Sequence, residues 1–600
     1  MFKEIDVNNK IDVYFKNMNF DMRRDDFYAL MTYTFCNISF DDEMDALLYI
    51  LPPKTKGPFG GMDVNVLIDG FNIGFYDDHL LKFVDITYEH FYVLVKRDNW
   101  KNQKIHIFGS SMDSNAYSYK VNSTGSTNKA SFAFIKTIAN IKDVTQTKVA
   151  EVSKLHTPKF EQGRSAEQLN DSQIQTLIRE VAAFFLDYSV DSGAKQPDYE
   201  STSNPKSKIS PPTLSMSMNM SKDGHKDIYM NLSNIGISLI SPVVFAIKAL
   251  TGMTYEMAMN SLLRPTLRQY FGDMRTFISL DNVFLFLLPP RGMDYTMALH
   301  VPEISVVYSK EWQTKDETLS SLKLYYDKRE FEDEKVKSLI SIPAKLPIFH
   351  MAVELVEVSM YLVDNLDLQK WCEELIRKKN PSQIDSQIDA RMIMKPISSI
   401  GYHVQTELLN DKFKEVYFTR GVAQIDSVTL MMTSYDLHYL SEWSNHMNRT
   451  YWKNLKVVGG LDESTKKLIK NKVPGDWLTH MERTYKKKLD IDFKGLSMTL
   501  LDDVYETNME YMRFFLHPIK TIQLDGNGVN GFTDIYTKIE AEYYNYHCKQ
   551  WEPILEHFNL IIKKYIDKEY GYVTEIVLNN PQVCMNVTTE LLCLVQGLQA

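Results

Sequence analysis

The stretch Lys488-Leu489-Asp490-Ile491-Asp492-Phe493-Lys494 indicates the fold class, because every second residue is apolar and every neighbour is charged. Such period-two alternation predicts a β-strand in a sheet with one apolar and one polar face. The same period recurs in four other segments, which contain Tyr295, Met297, Leu299 and Val301; Leu322, Leu324 and Tyr326; Val428, Leu430 and Met432; and Ile535, Thr537, Ile539 and Ala541. We therefore predict a mainly β protein built from one-sided strands.

The spacing of these strands bears on how their apolar faces are covered. Sandwiches and barrels usually place turns about every 8–12 residues, so that two apolar faces can close on each other. Here long polar insertions and helical patterns separate the strands, and no partner sheet is evident. Two architectures stay open: a large antiparallel core, or an elongated open β-groove of antiparallel strands with crossover helices and long polar loops. The second is favoured, and its apolar face would serve a ligand.

Composition excludes several classes of function. The net charge of -10, with no basic patch interleaved with aromatics, argues against a nucleic-acid-binding protein. No apolar run reaches the ~20 residues of a membrane-spanning helix, and residues 1–6 lack a signal-peptide core, which predicts a cytoplasmic protein. Without paired spacing, the cysteines are predicted to be buried thiols in a reducing compartment; they are Cys36, Cys372, Cys548, Cys584 and Cys593.

The chain is predicted to repeat a cycle of strands followed by a helix or a long loop. The predicted segments are a strand and helix linker at 1–60; groove strands at 61–241, with an inserted helix at 171–187 and a disordered loop at 190–226; a helical crossover at 242–272; groove strands at 273–452, with a helix near 366–379; a polar loop at 453–479; and groove strands at 480–600.

Searches for catalytic motifs find none that predicts an enzyme. The chain has no His-Glu-x-x-His, no Gly-x-Ser-x-Gly and no P-loop. Asp525-Gly526-Asn527-Gly528 lacks the downstream ligands of a calcium loop and predicts a tight turn. Asp502-Asp503 follows a strand and predicts a solvated turn rather than a pair of catalytic carboxylates. We expect no metal and no cofactor.

Motifs in the last block resemble a known family. Gly495-Leu496-Ser497-Met498-Thr499-Leu500-Leu501-Asp502-Asp503 is similar to a signature of the chorein family, the vacuolar-protein-sorting thirteen proteins. Glu542-Tyr543-Tyr544-Asn545 and the following Trp551-Glu552-Pro553-Ile554-Leu555-Glu556 resemble another. The order Ile554-Leu555 is reversed relative to the family, and His557 replaces a more usual proline. The resemblance is specific over 485–597; elsewhere it rests on architecture.

The resemblance implies a bridge-like lipid transfer protein, in which repeating β-groove units form a rod with an apolar groove. It implies an internal segment just before the adaptor-binding domain, which conducts glycerophospholipids between organelle membranes at contact sites. The expected partners are phospholipids, organelle membranes through modules missing from this chain, and adaptor proteins through a neighbouring domain. A scaffold or tether of the same fold, which recruits partners without conducting lipid, is the alternative. An enzyme with a degenerate site is the third hypothesis.

Three sets of residues are predicted to matter for this function. The groove is expected to be lined by Met297, Leu299, Leu322, Leu324, Val428, Leu430, Met432, Leu489, Ile491, Phe493, Leu496, Met498, Leu500, Ile535 and Ile539. Their charged neighbours are expected to face water; these are Lys488, Asp490, Asp492, Lys538, Glu540 and Glu542. The family motif is expected to be structural, with Trp551 as a packed anchor beside a turn; it comprises Tyr543, Tyr544, Asn545, Trp551, Glu552 and Pro553.

Overall fold

The chain is mainly β, which confirms the predicted class. The computed structural model describes residues 9–23, 62–76, 81–98, 102–121, 127–138, 141, 148–152, 212–220, 226–240, 243–244, 274–288, 293–314, 345–378, 388–411, 414–457, 482–502, 509–526, 529–567, 571–578 and 588. Two compact units divide the chain. Unit 1 comprises Met1–Ala298, Val363–Asp389 and Asn445–Gly460, and unit 2 comprises Leu299–Leu362, Ala390–Ser444 and Leu461–Ala600.

The first strands of the chain belong to unit 1. They are β1 (Asn9–Phe15), β2 (Met18–Arg23), β3 (Met62–Tyr76), β4 (Lys82–Asp98), β5 (Asn102–Ser110), β6 (Asp113–Val121), β7 (Thr127–Thr137), β8 (Lys148–Val152), β9 (Pro212–Met220), β10 (Lys226–Ser238) and β11 (Met274–Leu287).

The remaining elements follow in chain order. They are β12 (Tyr295–Thr314), β13 (Lys345–Asp364), helix α1 (Leu368–Lys378), β14 (Ala390–Asp411), β15 (Lys414–Ile425), β16 (Val428–Thr433), helix α2 (Ser434–Val457), β17 (Glu482–Phe493), β18 (Leu496–Leu501), β19 (Glu510–Leu516), β20 (Ile519–Gly526), β21 (Val529–Asn545), β22 (Gln550–Asp567) and β23 (Gly571–Leu578).

In unit 1 the strands form a mixed sheet. β3 pairs antiparallel with β4, and β4 pairs at one end with β5 and at the other with β6. β5 pairs with β9, β6 pairs with β7, and both β9 and β7 pair antiparallel with β10. β8 adds to β7. The antiparallel part of the sheet therefore has five successive positions: β3, β4, β5 with β6, β9 with β7, and β10. Parallel pairs flank it, since β1 and β2 run parallel to β3 and β11 runs parallel to β10.

Unit 2 has a similar arrangement. β15 and β16 pair parallel with β17 and β18, which in turn pair antiparallel with β20 and β19. β21, β22 and β23 continue the sheet antiparallel. The prediction of a purely antiparallel sheet was therefore wrong. Parallel neighbours need a connection of a dozen or more residues, and the chain supplies such lengths before β3, β11 and β17.

Helix α1 lies where a helix near 366–379 was predicted. Its buried residues Leu368, Trp371, Cys372 and Leu375 are spaced as one helical stripe. The Trp371 ring packs edge-on against Phe284 of β11, with ring centroids 5.5 Å apart. This packing fixes α1 against the β11 face that carries Phe284.

Several predictions differ from the structure or lie outside its described part. β9 occupies part of the predicted disordered loop 190–226, and α2 begins where groove strands were predicted and includes the start of the predicted loop 453–479. Cys548 is exposed, not buried. The predicted helix at 171–187 lies outside the described residues. So do most of 1–60 and of the crossover 242–272, and the strand around Leu322. Neither described helix is long and apolar enough to cross a membrane.

Candidate ligand-binding face

Apolar side chains form three parallel rows across seven strands of unit 1, from β1 through β3, β4, β5, β9 and β10 to β11. We call these rows the unit 1 strip. In register, the first row is Ile11, Val64, Val95, Ile105, Met218, Ile228 and Thr276; the second is Val13, Val66, Val93, Ile107, Met216, Met230 and Ile278; and the third is Phe15, Ile68, Phe91, Gly109, Leu214, Leu232 and Leu280. Alternation places all of them on one face.

The strip remains open although it is the more aliphatic face of the sheet. Most of its side chains are partly exposed; Ile11 and Phe15 are 46% and 41% exposed, whereas Ile68 is 5% exposed. The opposite face is buried and mixed in character, which differs from the water-facing surface that the alternation predicted. Its buried polar side chains include Asn65, His106, Ser215, Ser217, Asn231 and Ser233.

Hydrogen bonds satisfy much of that buried opposite face. Asn65 Nδ2 donates to Asp12 Oδ1 at 2.6 Å, and Tyr92 OH donates to Asn65 Oδ1 at 3.0 Å. Asn231 Nδ2 donates to Asp281 Oδ2 at 2.6 Å. Buried polar groups that keep such partners avoid most of their desolvation penalty, so the sheet can bury this face and leave the strip accessible.

One edge of the unit 1 strip is marked by a phase shift that recurs from strand to strand. The alternation of apolar residues stops at Ile68 in β3, at Leu232 in β10 and at Leu280 in β11. It resumes three residues later instead of two, at Phe71, Ile235 and Val283. A residue with positive φ lies in each gap: Gly70, Asn234 and Asn282 have φ of 93°, 55° and 51°. Glycine and asparagine tolerate this left-handed conformation best, which keeps the apolar positions on one face.

Beyond the phase shift the same face is closed by protein. Phe75, Val84, Ala116, Phe134 and Val243 form a buried cluster, against which half-buried apolar residues of the neighbouring strands pack. The accessible part of the face is therefore limited to the three rows of the strip. Rows within a strand lie two residues apart, so the strip is roughly 13 Å wide along the strands.

Unit 2 has an equivalent apolar face, which we call the unit 2 strip. Its rows in register are Tyr402, Ala423, Ile491, Thr521, Ile535 and Ile562; Ile400, Ile425, Phe493, Ile519, Thr537 and Leu560; Val428, Leu496, Leu516 and Ile539; and Leu430, Met498, Phe514 and Ala541. β21 carries members of all four rows at alternate positions, which places the rows on one face.

The register brings eleven of the predicted groove residues together on this face. They are Val428, Leu430, Met432, Leu489, Ile491, Phe493, Leu496, Met498, Leu500, Ile535 and Ile539. Met432 and Leu500 are buried at one end of it, and the others are half-exposed. Met297 is fully buried in unit 1, Leu299 is half-buried in β12, and Leu322 and Leu324 lie outside the described residues.

The charged neighbours occupy the alternate positions of the same strands. Asp490 and Asp492 in β17 and Glu540 and Glu542 in β21 are half-exposed, and Lys538 is exposed. The side chain of Lys488 lies outside the described part. Alternation places the five described side chains on the face opposite the unit 2 strip.

The family-like motif folds into one hairpin between β21 and β22. Glu552 accepts hydrogen bonds from the hydroxyl of the buried Tyr543 and from Asn545 Nδ2, the latter at 2.9 Å. Asn545 Oδ1 in turn accepts the backbone N–H groups of residues 547 and 548 at 3.0 and 3.3 Å, an Asx-type turn. The motif thus holds a tight turn.

Trp551 packs beside this turn. Its ring meets Tyr544 edge-on, with centroids 5.5 Å apart, and the Arg513 guanidinium lies 3.9 Å from its centroid. Pro553 is exposed, and the register between β21 and β22 shifts near it, consistent with the missing N–H of proline.

Replacing Glu552 with alanine is expected to loosen the hairpin. The change leaves the Tyr543 hydroxyl and the Asn545 amide without their shared acceptor, which costs about 1–3 kcal/mol of unfolding free energy. Urea unfolding followed by circular dichroism measures it. Glu556→Ala in the same strand, at an exposed position, is the matched control. Equal midpoints for the two variants would contradict a structural role of Glu552.

No protein-family model matches the chain, and no curated protein is significantly similar to it. Within the described ranges, no group of three or more His, Cys, Asp or Glu side chains is placed to hold a metal ion. The unit 1 strip was missed by sequence reasoning. Its signal was readable in β9, where Leu214, Met216 and Met218 alternate with serines, but the Ser- and Pro-rich composition of 190–226 hid it.

Proposed function

We propose that this chain is a segment of a bridge-like lipid transfer protein that binds glycerophospholipid acyl chains along an elongated, repeating β-groove. The observation that carries the proposal is the pair of half-exposed apolar strips. In unit 1 the strip spans seven strands at ~4.8 Å spacing, which gives an area on the order of 400 Å². Exposed apolar patches of this size on soluble proteins commonly mark a binding site.

Acyl chains suit these strips better than a peptide does. A bound peptide brings backbone N–H and C=O groups, which need partners wherever they lose water. Among the described residues, the three rows of the unit 1 strip offer one polar side chain, the hydroxyl of Thr276. An acyl chain needs no partner and gains roughly 0.8 kcal/mol for each methylene group that leaves water.

A uniform strip also suits movement of a lipid. Ile, Val, Leu and Met side chains repeat from strand to strand, so an acyl chain exchanges one apolar contact for a similar one as it crosses the strands. The free energy gained by burying the acyl chain then contributes strongly to binding but changes little as the chain moves along the strip. No nucleophile, base or metal is needed for such a process.

Repetition in the two units gives further support. In each unit a parallel pair of strands is followed by five antiparallel strand positions. With the chorein-like motifs at 495–503 and 542–556, this pattern favours a groove assembled from similar units. The protein would act peripherally at contact sites between organelle membranes, and adaptors would bind a neighbouring domain.

Lipid that copurifies with the chain tests the proposal. Protein purified without detergent is expected to carry several phospholipids per chain, detectable by native mass spectrometry and by thin-layer chromatography of an organic extract. The unit 1 variant Met216→Lys with Met230→Glu should lose part of this lipid, because both substitutions place charges in the second row. Lipid-free wild-type protein would contradict the proposal and favour the scaffold.

A further inference from the structure

Four aromatic side chains border the unit 1 strip at its phase shift. Phe71 is the first apolar residue of β3 after Gly70, and its ring stacks on Phe91 of the third row with centroids 4.7 Å apart. Phe20 meets Phe71 edge-on at 5.6 Å, and Tyr88 lies 6.3 Å from Phe71 and 5.5 Å from Phe91. We call Phe20, Phe71, Tyr88 and Phe91 the aromatic wall.

The aromatic wall lies over Gly109, the one residue of the third row that has no side chain. A Cβ atom built on Gly109 would lie 2.6 Å from the Tyr88 ring, so the ring rests directly on the backbone of β5. Tyr88 is buried, and burial raises its pKa to about 12, so its hydroxyl stays neutral at neutral pH. The wall therefore presents aromatic edges, without charge, along this side of the strip.

The two sides of the wall differ in accessibility. On one side the second row, which contains Val93, Ile107 and Met216, is partly exposed. On the other side, Phe75 and Val84 belong to the buried cluster that closes the face. An apolar ligand on the strip would thus meet the wall as its lateral limit.

We propose that the aromatic wall selects acyl chains by width, and that Phe71 is the residue that sets this limit. The inference rests on the proposed lipid-binding function. An acyl chain that lies across the strands on the third row has the Phe71 and Phe91 rings along one side, so methyl branches on that side need space that the rings occupy. Removing the Phe71 ring frees space beside the third row, next to Ile73, which packs against the buried cluster.

The test compares two phosphatidylcholines with the same headgroup and the same main-chain length, one with palmitoyl and one with methyl-branched phytanoyl tails. Both are offered in equal amounts in mixed micelles, and the bound lipids are quantified by mass spectrometry after detergent removal. For Phe71→Ala we expect the ratio of branched to unbranched lipid to rise roughly fourfold to fifteenfold, as burial of one or two more methyl-sized groups gives.

Two further variants keep the result interpretable. Phe277→Ala removes a ring that stacks on Tyr229 at 5.0 Å on the opposite face of the same unit, and it should leave the ratio unchanged. Phe71→Leu preserves an apolar side chain if Phe71→Ala does not fold, and it should raise the ratio by a smaller factor.

The outcomes separate the two proposals. If wild-type protein binds neither lipid, the proposed lipid-binding function fails. If it binds the palmitoyl lipid but folded Phe71→Ala or Phe71→Leu keeps the wild-type ratio, the wall does not select by width and the lipid-binding function stands. An equal rise for Phe277→Ala would also overturn the role of the wall, because that ring lies on the other face.

Discussion

A variant of β17 that carries Leu489→Asp, Ile491→Lys and Phe493→Glu is expected to stay folded and to lose lipid transfer between donor and acceptor liposomes. The three side chains occupy successive rows on the apolar face, opposite Gly421, Ala423 and Ile425 of the parallel strand β15. They are half-exposed, so the new charges can reach water while no acyl chain is present. An acyl chain that covers them must strip that water.

The expected loss follows from the energetics of buried ions. An ion in apolar surroundings costs several kcal/mol even after relaxation, and each 1.4 kcal/mol is a factor of ten. Three such positions across one strand should therefore reduce the transfer rate by at least about a hundredfold. Dequenching of a fluorescent phospholipid measures transfer, and far-ultraviolet circular dichroism measures folding.

The matched control exchanges the charged residues on the other face of the same strand for the same three residue types. Lys488→Asp, Asp490→Lys and Asp492→Glu alternate with the first set, so they fall on the polar face and should leave transfer near the wild-type rate. Undiminished transfer in the apolar-face variant, with the fold intact, would exclude conduction along the unit 2 strip. A scaffold that recruits partners would then explain this face better.

Alternation was enough to place eleven predicted residues on one face of unit 2, because period two is a local property of each strand. It did not give the order of pairing, which depends on where long connections return the chain. Parallel pairing of β15 with β17 is an example, since no local pattern in either strand distinguishes it from an antiparallel pair.

Unit 1 shows where local reasoning needed a second rule. In Val64, Val66, Ile68, Phe71, Ile73 and Phe75 the period appears broken, and a strict search for alternation stops at Ile68. The positive φ of Gly70 explains the break as a change of phase within one strand. Asn234 and Asn282 repeat it, and Asn282 Nδ2 donates to Asn234 Oδ1 at 3.1 Å across the parallel pair. Glycine or asparagine flanked by two phases of alternation is thus a readable signal.

Helix α2 was missed because most of its residues fell within 273–452, which was assigned to groove strands, and its N-terminal signal was not recognised. Thr433 and Asp436 form a capping box: Asp436 Oδ2 accepts the Thr433 backbone N–H at 2.7 Å, and Thr433 Oγ1 accepts the Asp436 N–H at 3.3 Å. Arg391 of β14 donates to both carboxylate oxygens at 2.6 Å. The sequence shows the Thr-x-x-Asp spacing, but the arginine comes from a distant segment.

Replacing Asp436 with alanine is expected to be the most destabilising single substitution proposed for unit 2. The carboxylate is completely buried, whereas the Arg391 side chain is 32% exposed. Without the carboxylate, the backbone N–H of Thr433 loses its acceptor, and the Arg391 guanidinium, which is two-thirds buried, loses its ion-pair partner. Breaking a buried ion pair costs about 3–5 kcal/mol, and partial exposure of Arg391 puts the expectation at the lower end. Urea unfolding measures the change in unfolding free energy, with circular dichroism at 222 nm used to follow the loss of helix.

Asp426→Ala provides the comparison, because Asp426 also forms an ion pair in unit 2, but with the largely exposed Lys494. Solvent screens that pair, so its loss should leave the urea midpoint within error of wild type. Both strips are built from other residues, and lipid binding by Asp436→Ala should persist below the new midpoint. If Asp436→Ala unfolds at the wild-type midpoint, the capping box and the ion pair do not stabilise the start of α2. If it stays folded but loses bound lipid, the unit 2 strip depends on how α2 is anchored, and the two strips would then have to be tested separately for lipid.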